Sequence, residues 1–293
     1  MTIVTTINEL RARLDAARAA GQIVGFVPTM GYLHAGHASL MAAARVDTDV
    51  VVASIFVNPL QFGAGEDLDA YPRDLVGDAA RAEAAGVDLL FVPSASEMYP
   101  QGGVRTSVTV TGVSEPLEGR TRPGHFAGVA TVVAKLFAIV GPCRAYFGEK
   151  DFQQVAVVRQ MAGDLSLPVE VVACPTLREA DGLAMSSRNA YLSADEREAA
   201  PVVHAALLVG RMAIDAGERD PARVRTLMAD LIVAQPLGEL DYAEVVDADT
   251  LEVVEPLQGS LRLVAAVRFG RARLIDNLGA AVFDPDMTAS GSS

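Results

Sequence analysis

The stretch Ile23-Val24-Gly25-Phe26-Val27-Pro28-Thr29-Met30-Gly31-Tyr32-Leu33-His34-Ala35-Gly36-His37 sets a β-branched apolar run directly against a glycine-broken turn. Residues 23–27 read as a buried strand, and the pattern after the turn predicts a helix over 37–45. A strand is expected next at 50–57, then a helix around 74–85 and a strand at 87–92. The same alternation resumes with an apolar helix at 129–140, a strand at 145–147, a helix at 151–165 and a strand at 169–173. Upstream, residues 1–20 read as helix-patterned, with Ile7, Leu10, Leu14 and Ala17 at helical spacing.

Continuous apolar strands separated by helices indicate a parallel sheet covered on both faces. The expected fold class is therefore α/β: a doubly wound, Rossmann-like parallel-sheet domain over residues 1–185. The remainder reads differently, with Ala-rich helices at 194–216 and 221–233 and strands at 240–247, 260–267 and 272–277. This predicts a smaller C-terminal α+β lid domain over 186–284. The small, polar segment 285–293 is expected to be a disordered tail.

Composition narrows the class further. The chain has 293 residues, 51% hydrophobic and 21% charged, in the range of a folded globular protein. Its formal charge of −13 argues against non-specific nucleic-acid binding, which needs Lys and Arg against phosphates. Any anionic ligand must then be held by a local cluster of donors. Cys143 and Cys174 are too few for a disulfide framework and read as core thiols of a reducing compartment. The N-terminal segment is charged rather than signal-like, and no apolar run is long enough to span a bilayer. A cytoplasmic location is expected.

Four segments carry chemistry. In the first, Gly31 and Gly36 allow close backbone approach, and the start of the helix offers unpaired N–H groups to phosphate. His34 and His37, three apart, can face one side and donate to phosphate oxygens. A chance Gly/His turn or a two-histidine metal site are the competing readings, the latter lacking a third ligand. In the second, Gly148-Glu149-Lys150-Asp151 follows a strand end, where doubly wound sheets bind ligands. Lys150 is a point charge for phosphate, and Asp151 caps a helix or accepts from a ribose hydroxyl. No P-loop pattern is present.

In the third, Met185, Ser186, Ser187 and Arg188 put two hydroxyls and a guanidinium on a small-residue loop that could close over a triphosphate, or could simply cap a helix. The fourth is a set of amides: Asn58 and Gln61 after the 50–57 strand, and Gln153 and Gln154 after Asp151. Amides bind a carboxylate without neutralising it, which leaves it nucleophilic.

In this order the segments closely resemble the pantothenate synthetase (pantoate–β-alanine ligase) family, from about Val27 to Asn277. The resemblance rests on the blocks PTMGYLHAGH, SIFVNPLQFGAGEDLDAYPR, RPGHFAGVATVVAKLF, YFGEKDFQQ and PTLREADGLAMSSRNAYL. That family belongs to the nucleotidylyltransferase superfamily, and His34 to His37 is similar to its HIGH-type signature. Residues 185–188 match the KMSKS-type loop, with Ser187 and Arg188 in place of its lysine, as the ligases themselves have.

The resemblance implies activation of pantoate by ATP with Mg²⁺ to a pantoyl adenylate, then capture by β-alanine. It implies ATP contacts by Met30, Gly31, Tyr32, Leu33, His34, Ala35, Gly36 and His37, by Gly148, Glu149, Lys150 and Asp151, and by Leu177, Met185, Ser186, Ser187 and Arg188. His37, His34, Lys150 and Arg188 would be catalytic. Gln61 and Gln154 would bind pantoate, with Asn58, His125, Val132 and Val133 lining its pocket. A homodimer is implied, and no protein-held metal site. His204 falls outside every block and is expected to be structural. A nucleotidylyltransferase that forms no amide is the alternative reading.

Overall fold

The computed structural model describes residues 1–63, 68 and 71–282. The expected tail at 285–293, and part of the block around residues 64–70, lie outside them. The chain divides into two units between Leu177 and Arg178.

The first unit runs β1 (Thr2–Val4), α1 (Ile7–Ala19), β2 (Val24–Thr29), α2 (Ala35–Asp47), β3 (Val50–Ile55), α3 (Leu75–Ala84), β4 (Leu89–Phe91), α4 (Ala95–Met98), α5 (Glu118–Thr121), α6 (His125–Val140), β5 (Cys143–Gly148), α7 (Phe152–Asp164) and β6 (Val169–Cys174). Short 3-10 turns sit at Pro59–Gln61 and Glu149–Asp151. The strands form one sheet in the order β1-β4-β3-β2-β5-β6, and every neighbouring pair is parallel.

Alternation along each strand feeds two cores. Val24, Phe26, Val52, Phe91, Ala145 and Phe147 face one layer with Leu10 and Leu14 of α1 and most of α6. Val27, Val51, Ala53, Leu90 and Tyr146 face the other, against Leu40, Met41 and Ala44 of α2 and Ala82 of α3. Burial on both faces is what makes these strands read as unbroken apolar runs. Helix α6 is buried along most of its length, between Gly124 and Gly141.

The second unit carries α8 (Ala194–Ala199), α9 (Val202–Asp215), α10 (Pro221–Val233), β7 (Glu239–Asp247), β8 (Gly259–Phe269) and β9 (Ala272–Val282), preceded by a 3-10 turn at Ser187–Tyr191. The strands form an antiparallel sheet in the order β7-β8-β9. Val203 and Leu207 of α9 and Val224 and Met228 of α10 pack with Val245, Leu263, Val267 and Leu274 of the sheet. The architecture is thus a doubly wound parallel sheet followed by a smaller α+β unit.

Three expectations require correction. The division falls at 177/178 rather than 185/186, because Arg178 is bonded into the second unit through Asp276 and Asn277 of β9. The expected helix 194–216 is two helices, broken at Ala200 and Pro201, since proline inside a helix removes an N–H and clashes with the preceding turn. The segment before α1 is not wholly helical: Thr2–Val4 adds a strand to the sheet edge beside β4.

Candidate active site

The sheet order decides where a ligand fits. From β2 the chain proceeds through β3 and β4 to one side, whereas β5 and β6 lie on the other. The change of direction falls between β2 and β5, and doubly wound sheets bind ligands outside the carboxyl ends of the strands at that point. The histidine turn leaves β2, the lysine turn leaves β5, and the amide turn leaves β3 on the far side of β2.

The histidine turn is held from within. Gly31 and Tyr32 both have positive φ, 86° and 50°, the second being uncommon outside glycine. The conformation is fixed by Asp78 of α3, a fully buried carboxylate accepting from the backbone N–H of Tyr32 at 2.8 Å and of Leu33 at 2.6 Å. The Thr29 hydroxyl accepts from Gly31 N–H at 3.2 Å and donates to Ser54 of β3 at 2.7 Å. His34 is then the N-cap of α2.

Its Nδ1 accepts from Gly36 N–H at 3.1 Å, while His37 Nδ1 accepts from His34 N–H at 3.3 Å. Two consequences follow. A ring nitrogen that accepts carries no proton, so each neutral imidazole bears its hydrogen on Nε2. The rings also stack at a tilt, with centroids 4.1 Å apart. Burial pushes the pKa of His34 down to about 4, helped by Lys150, and that of His37 down to about 3, helped by His34 and Lys150 and opposed by Asp151. At neutral pH the pair is two uncharged Nε2–H donors. Among the described residues no three His, Cys, Asp or Glu come together as ligands.

Lys150 and Asp151 follow β5 in the short 3-10 turn, with Lys150 Nζ 3.5 Å from an Asp151 carboxylate oxygen and largely buried. The charges of Lys150 and Asp151 act on both imidazoles, which ties the two turns electrostatically. Gly148, Glu149 and Asp151 are partly exposed, as are Met30 and Tyr32, whereas Leu33 is buried.

The amide turn at Pro59–Gln61 is fixed by Asn58, which has no exposed surface. Its Oδ1 accepts from Leu60 N–H and from the Tyr99 hydroxyl, and its Nδ2 donates to the Gly128 carbonyl. Gly128 is obligatory: a Cβ there would collide with the Leu60 carbonyl oxygen, so α6 touches the turn backbone. His125 Nδ1 lies 2.9 Å from the Gln61 carbonyl, and Arg122 stands 3.0 Å from His125 Nε2. An arginine only donates, so His125 Nε2 accepts and Nδ1 donates. Asn58 and His125 therefore support the turn that carries Gln61, a role their sequence did not announce.

The paired glutamines divide. Gln153 is buried, donating to the Val113 and Pro116 carbonyls and accepting from Glu118 N–H, so it clamps the loop before α5. Gln154 is partly exposed and remains the candidate of the two. Val132 and Val133 of α6 are almost wholly buried.

Leu177 ends the first unit and is 40% exposed. Met185, Ser186, Ser187 and Arg188 belong to the second. There the Ser186 hydroxyl caps the 3-10 turn by accepting from Arg188 N–H at 3.3 Å, so the capping reading of this loop holds whatever else it does. Sequence reasoning missed Asp78 and Tyr99, whose partners are far away in the chain and which no local pattern marks; Arg122, three residues before His125, was open to a local reading. Both cysteines are buried free thiols, and burial pushes Cys143 up to about 12.

A doubly wound sheet with phosphate-suited turns on both strands at its point of reversal defines the class: an α/β protein of the nucleotide-binding kind. A family model described as Pantoate-beta-alanine ligase matches residues 2–279. Among curated relatives, a pantothenate synthetase of Heliobacterium modesticaldum is 55% identical, the match covering 95% of this chain and 99% of the relative. The crystal structure of pantothenate synthetase from Thermus thermophilus superposes with a TM-score of 0.90 at 52% identity, covering 95% and 99% of the two chains. The pantoate-beta-alanine ligase of Francisella tularensis, solved with Beta-gamma ATP and Beta-alanine, gives 0.79 at 33%, covering 95% and 97%. The chain belongs to the pantoate–β-alanine ligase family.

Proposed function

We propose that the protein condenses pantoate with β-alanine to pantothenate at the expense of ATP, through a pantoyl adenylate. The observation that carries this reading is the pair of neutral Nε2–H donors on the turn after β2, with Lys150 on the turn after the neighbouring β5, in a chain of this family.

In the first half-reaction a pantoate carboxylate oxygen attacks the α-phosphorus of ATP, the bond to the bridging oxygen of the β-phosphate breaks, and pyrophosphate leaves. No protein nucleophile is needed, so catalysis is positioning and charge stabilisation. His34 and His37 donate through Nε2 to phosphate oxygens as charge grows, without giving up a proton. Lys150 supplies positive charge. Residues 30–37 and 148–151 provide the backbone cradle, with Asp151 on the ribose. Leu177, Met185, Ser186, Ser187 and Arg188 are assigned to ATP by the resemblance to the family, the serines and arginine donating to the outer phosphates.

Gln61 and Gln154 hold the pantoate carboxylate without neutralising it, and Val132 and Val133 offer apolar surface to its methyl groups. In the second half-reaction the β-alanine amine attacks the acyl carbonyl, the acyl–phosphate bond breaks, AMP leaves and the amine loses its proton. Magnesium would come with the triphosphate and supply charge neutralisation there. Among the described residues no cluster stands ready to hold it alone.

We also read the protein as a cytoplasmic homodimer. The homodimer is carried over from the resemblance to the family. The buried free thiols suit a reducing compartment.

The test is pantoate-dependent exchange of pyrophosphate into ATP, with AMP appearing only when β-alanine is added. A product that retains AMP would establish instead a nucleotidylyltransferase that forms no amide.

A further inference from the structure

The second unit contains a buried cluster that the reaction above does not use. Arg178 grips Asp276 of β9 with both terminal nitrogens, at 2.5 and 2.9 Å, and the Asp276 side chain is only 4% exposed. The same guanidinium donates to the Gly182 carbonyl at 3.1 Å and to the Asn277 carbonyl at 3.3 Å. His204 of α9 completes the group, with Nδ1 buried, unpartnered and 3.7 Å from an Asp276 oxygen. Its ring lies against Gly182, where φ is 93° and a Cβ would come within 2.7 Å of His204 Cδ2.

What this cluster grips is the base of the 185–188 loop. Residues 178–184 form a closed turn, with a bridge between Arg178 and Ala184, Glu179 N–H donating to the Leu183 carbonyl, and the Asp181 carboxylate accepting from Leu183 N–H. Arg197 of α8 holds the other side through Asp181 at 2.6 Å and Glu179 at 2.7 Å. Met185 follows Ala184 directly, and beyond the loop the Asn189 amide donates back to the Ala184 carbonyl at 3.1 Å. Both ends of the loop therefore hang on one residue, and that residue is held by the turn that Arg178 and Asp276 fix.

We propose that Asp276, acting through Arg178 and with His204 seated against Gly182, positions the 185–188 loop for adenylate formation. Buried ion pairs contribute little net stability compared with apolar packing, so a geometric task accounts for this one better. The inference rests on the reading that the loop serves the triphosphate, which is present only in the first half-reaction. The cluster touches no reactant: its residues are positioning residues.

The experiment separates the half-reactions. Pantoate-dependent pyrophosphate exchange measures the first. Single turnover of enzyme-bound adenylate, accumulated by long incubation with pyrophosphatase, desalted and mixed with β-alanine, measures the second. Asp276→Asn and Arg178→Lys should each lower exchange on the order of a hundredfold, the loss expected when a reacting group is displaced by about an ångström. Turnover of the adenylate should stay within about threefold of the parent, because no triphosphate group is involved. Arg178→Lys keeps the charge and loses only the fork, so it reports even where Asp276→Asn fails to fold.

Equal losses in both half-reactions, or none in either, would overturn the proposal in favour of a purely structural pair. Two controls locate any other failure. A parent enzyme without exchange activity removes the functional reading itself. A parent that exchanges while Arg188→Ala exchanges equally well removes the loop's role, and the positioning role with it.

Discussion

The backbone N–H of His34 donates to Nδ1 of His37 at 3.3 Å, while His34 Nδ1 is occupied by the N–H of Gly36. The two histidines of the turn thus lock one another into the Nε2–H form, and burial keeps both uncharged. With pKa values lowered to about 4 and about 3, neither changes charge between about pH 5.5 and 8. The rate of pyrophosphate exchange should show no imidazole ionisation across that window. A limb near pH 6.5 that disappears in His37→Gln would show that a charged histidine participates.

Stability follows the same shifts with a definite sign. The unfolded histidines titrate near 6.5 and the folded ones lower, so below about 6.5 the unfolded chain binds protons that the folded chain refuses. The contribution is fully present above about 6.5 and is lost as pH falls toward the folded values. Urea midpoints measured from about pH 7.5 to 5 should decline, and His37→Gln should flatten that decline.

Removing either donor or the cation should cripple the first step with the fold intact. His37→Ala and Lys150→Ala are each expected to lower exchange by about 10²–10³, the usual cost of one charge-stabilising donor. Lys150→Ala should in addition raise the pKa of both histidines, since its charge holds them down. Histidine ring resonances followed against pH would register that movement. Near-parental exchange in both variants would remove these residues from the mechanism.

Asp78→Asn should act at a distance. An amide has one oxygen with which to serve two N–H donors, and it turns its own NH₂ into their neighbourhood. A buried donor left unpaired costs about 1–3 kcal/mol. Thermal or urea unfolding should show a loss of that size, and the KM for ATP should rise more than that for pantoate, because Asp78 holds the backbone of Tyr32 and Leu33.

Gly128→Ala probes the opposite substrate. The added methyl would run into the Leu60 carbonyl, forcing α6 and the amide turn apart. Overpacking of this kind costs about 1–3 kcal/mol. The KM for pantoate should rise while that for ATP changes little, a split that steady-state kinetics with each substrate varied will measure.

Regular sheet structure was legible wherever burial on both faces produced unbroken apolar runs: β2, β3, β5 and β6 all lie within a few residues of their expected places. Thr2–Val4 escaped because three residues carry no period, and its partner β4 lies far along the chain. Pro201 was available to read, yet the Ala-rich pattern on either side concealed the break it makes. At the site, the residues named from the sequence are those whose chemistry is local: histidines after a glycine turn, a lysine at a strand end, amides after a strand. Asp78, Tyr99 and Asp276 act on backbone or side chains remote in sequence, and only the fold brings them there. Asn58 and Gln153 show the converse, polar side chains read as ligand contacts that spend their hydrogen bonds on the protein.

The pairing of β2 with β5 bears on how the molecule comes into being. These hydrogen-bonded neighbours at the heart of the sheet are separated along the chain by residues 30–142. Contacts of such long sequence separation form late, after the entropy of closing the intervening loop has been met. A nascent chain that has yet to reach Cys143 already holds both histidines and Gln61 but has neither Lys150 nor the strand that brings it into place. During synthesis the proposed phosphate cradle is therefore made in two parts, and its halves meet only when β5 joins β2.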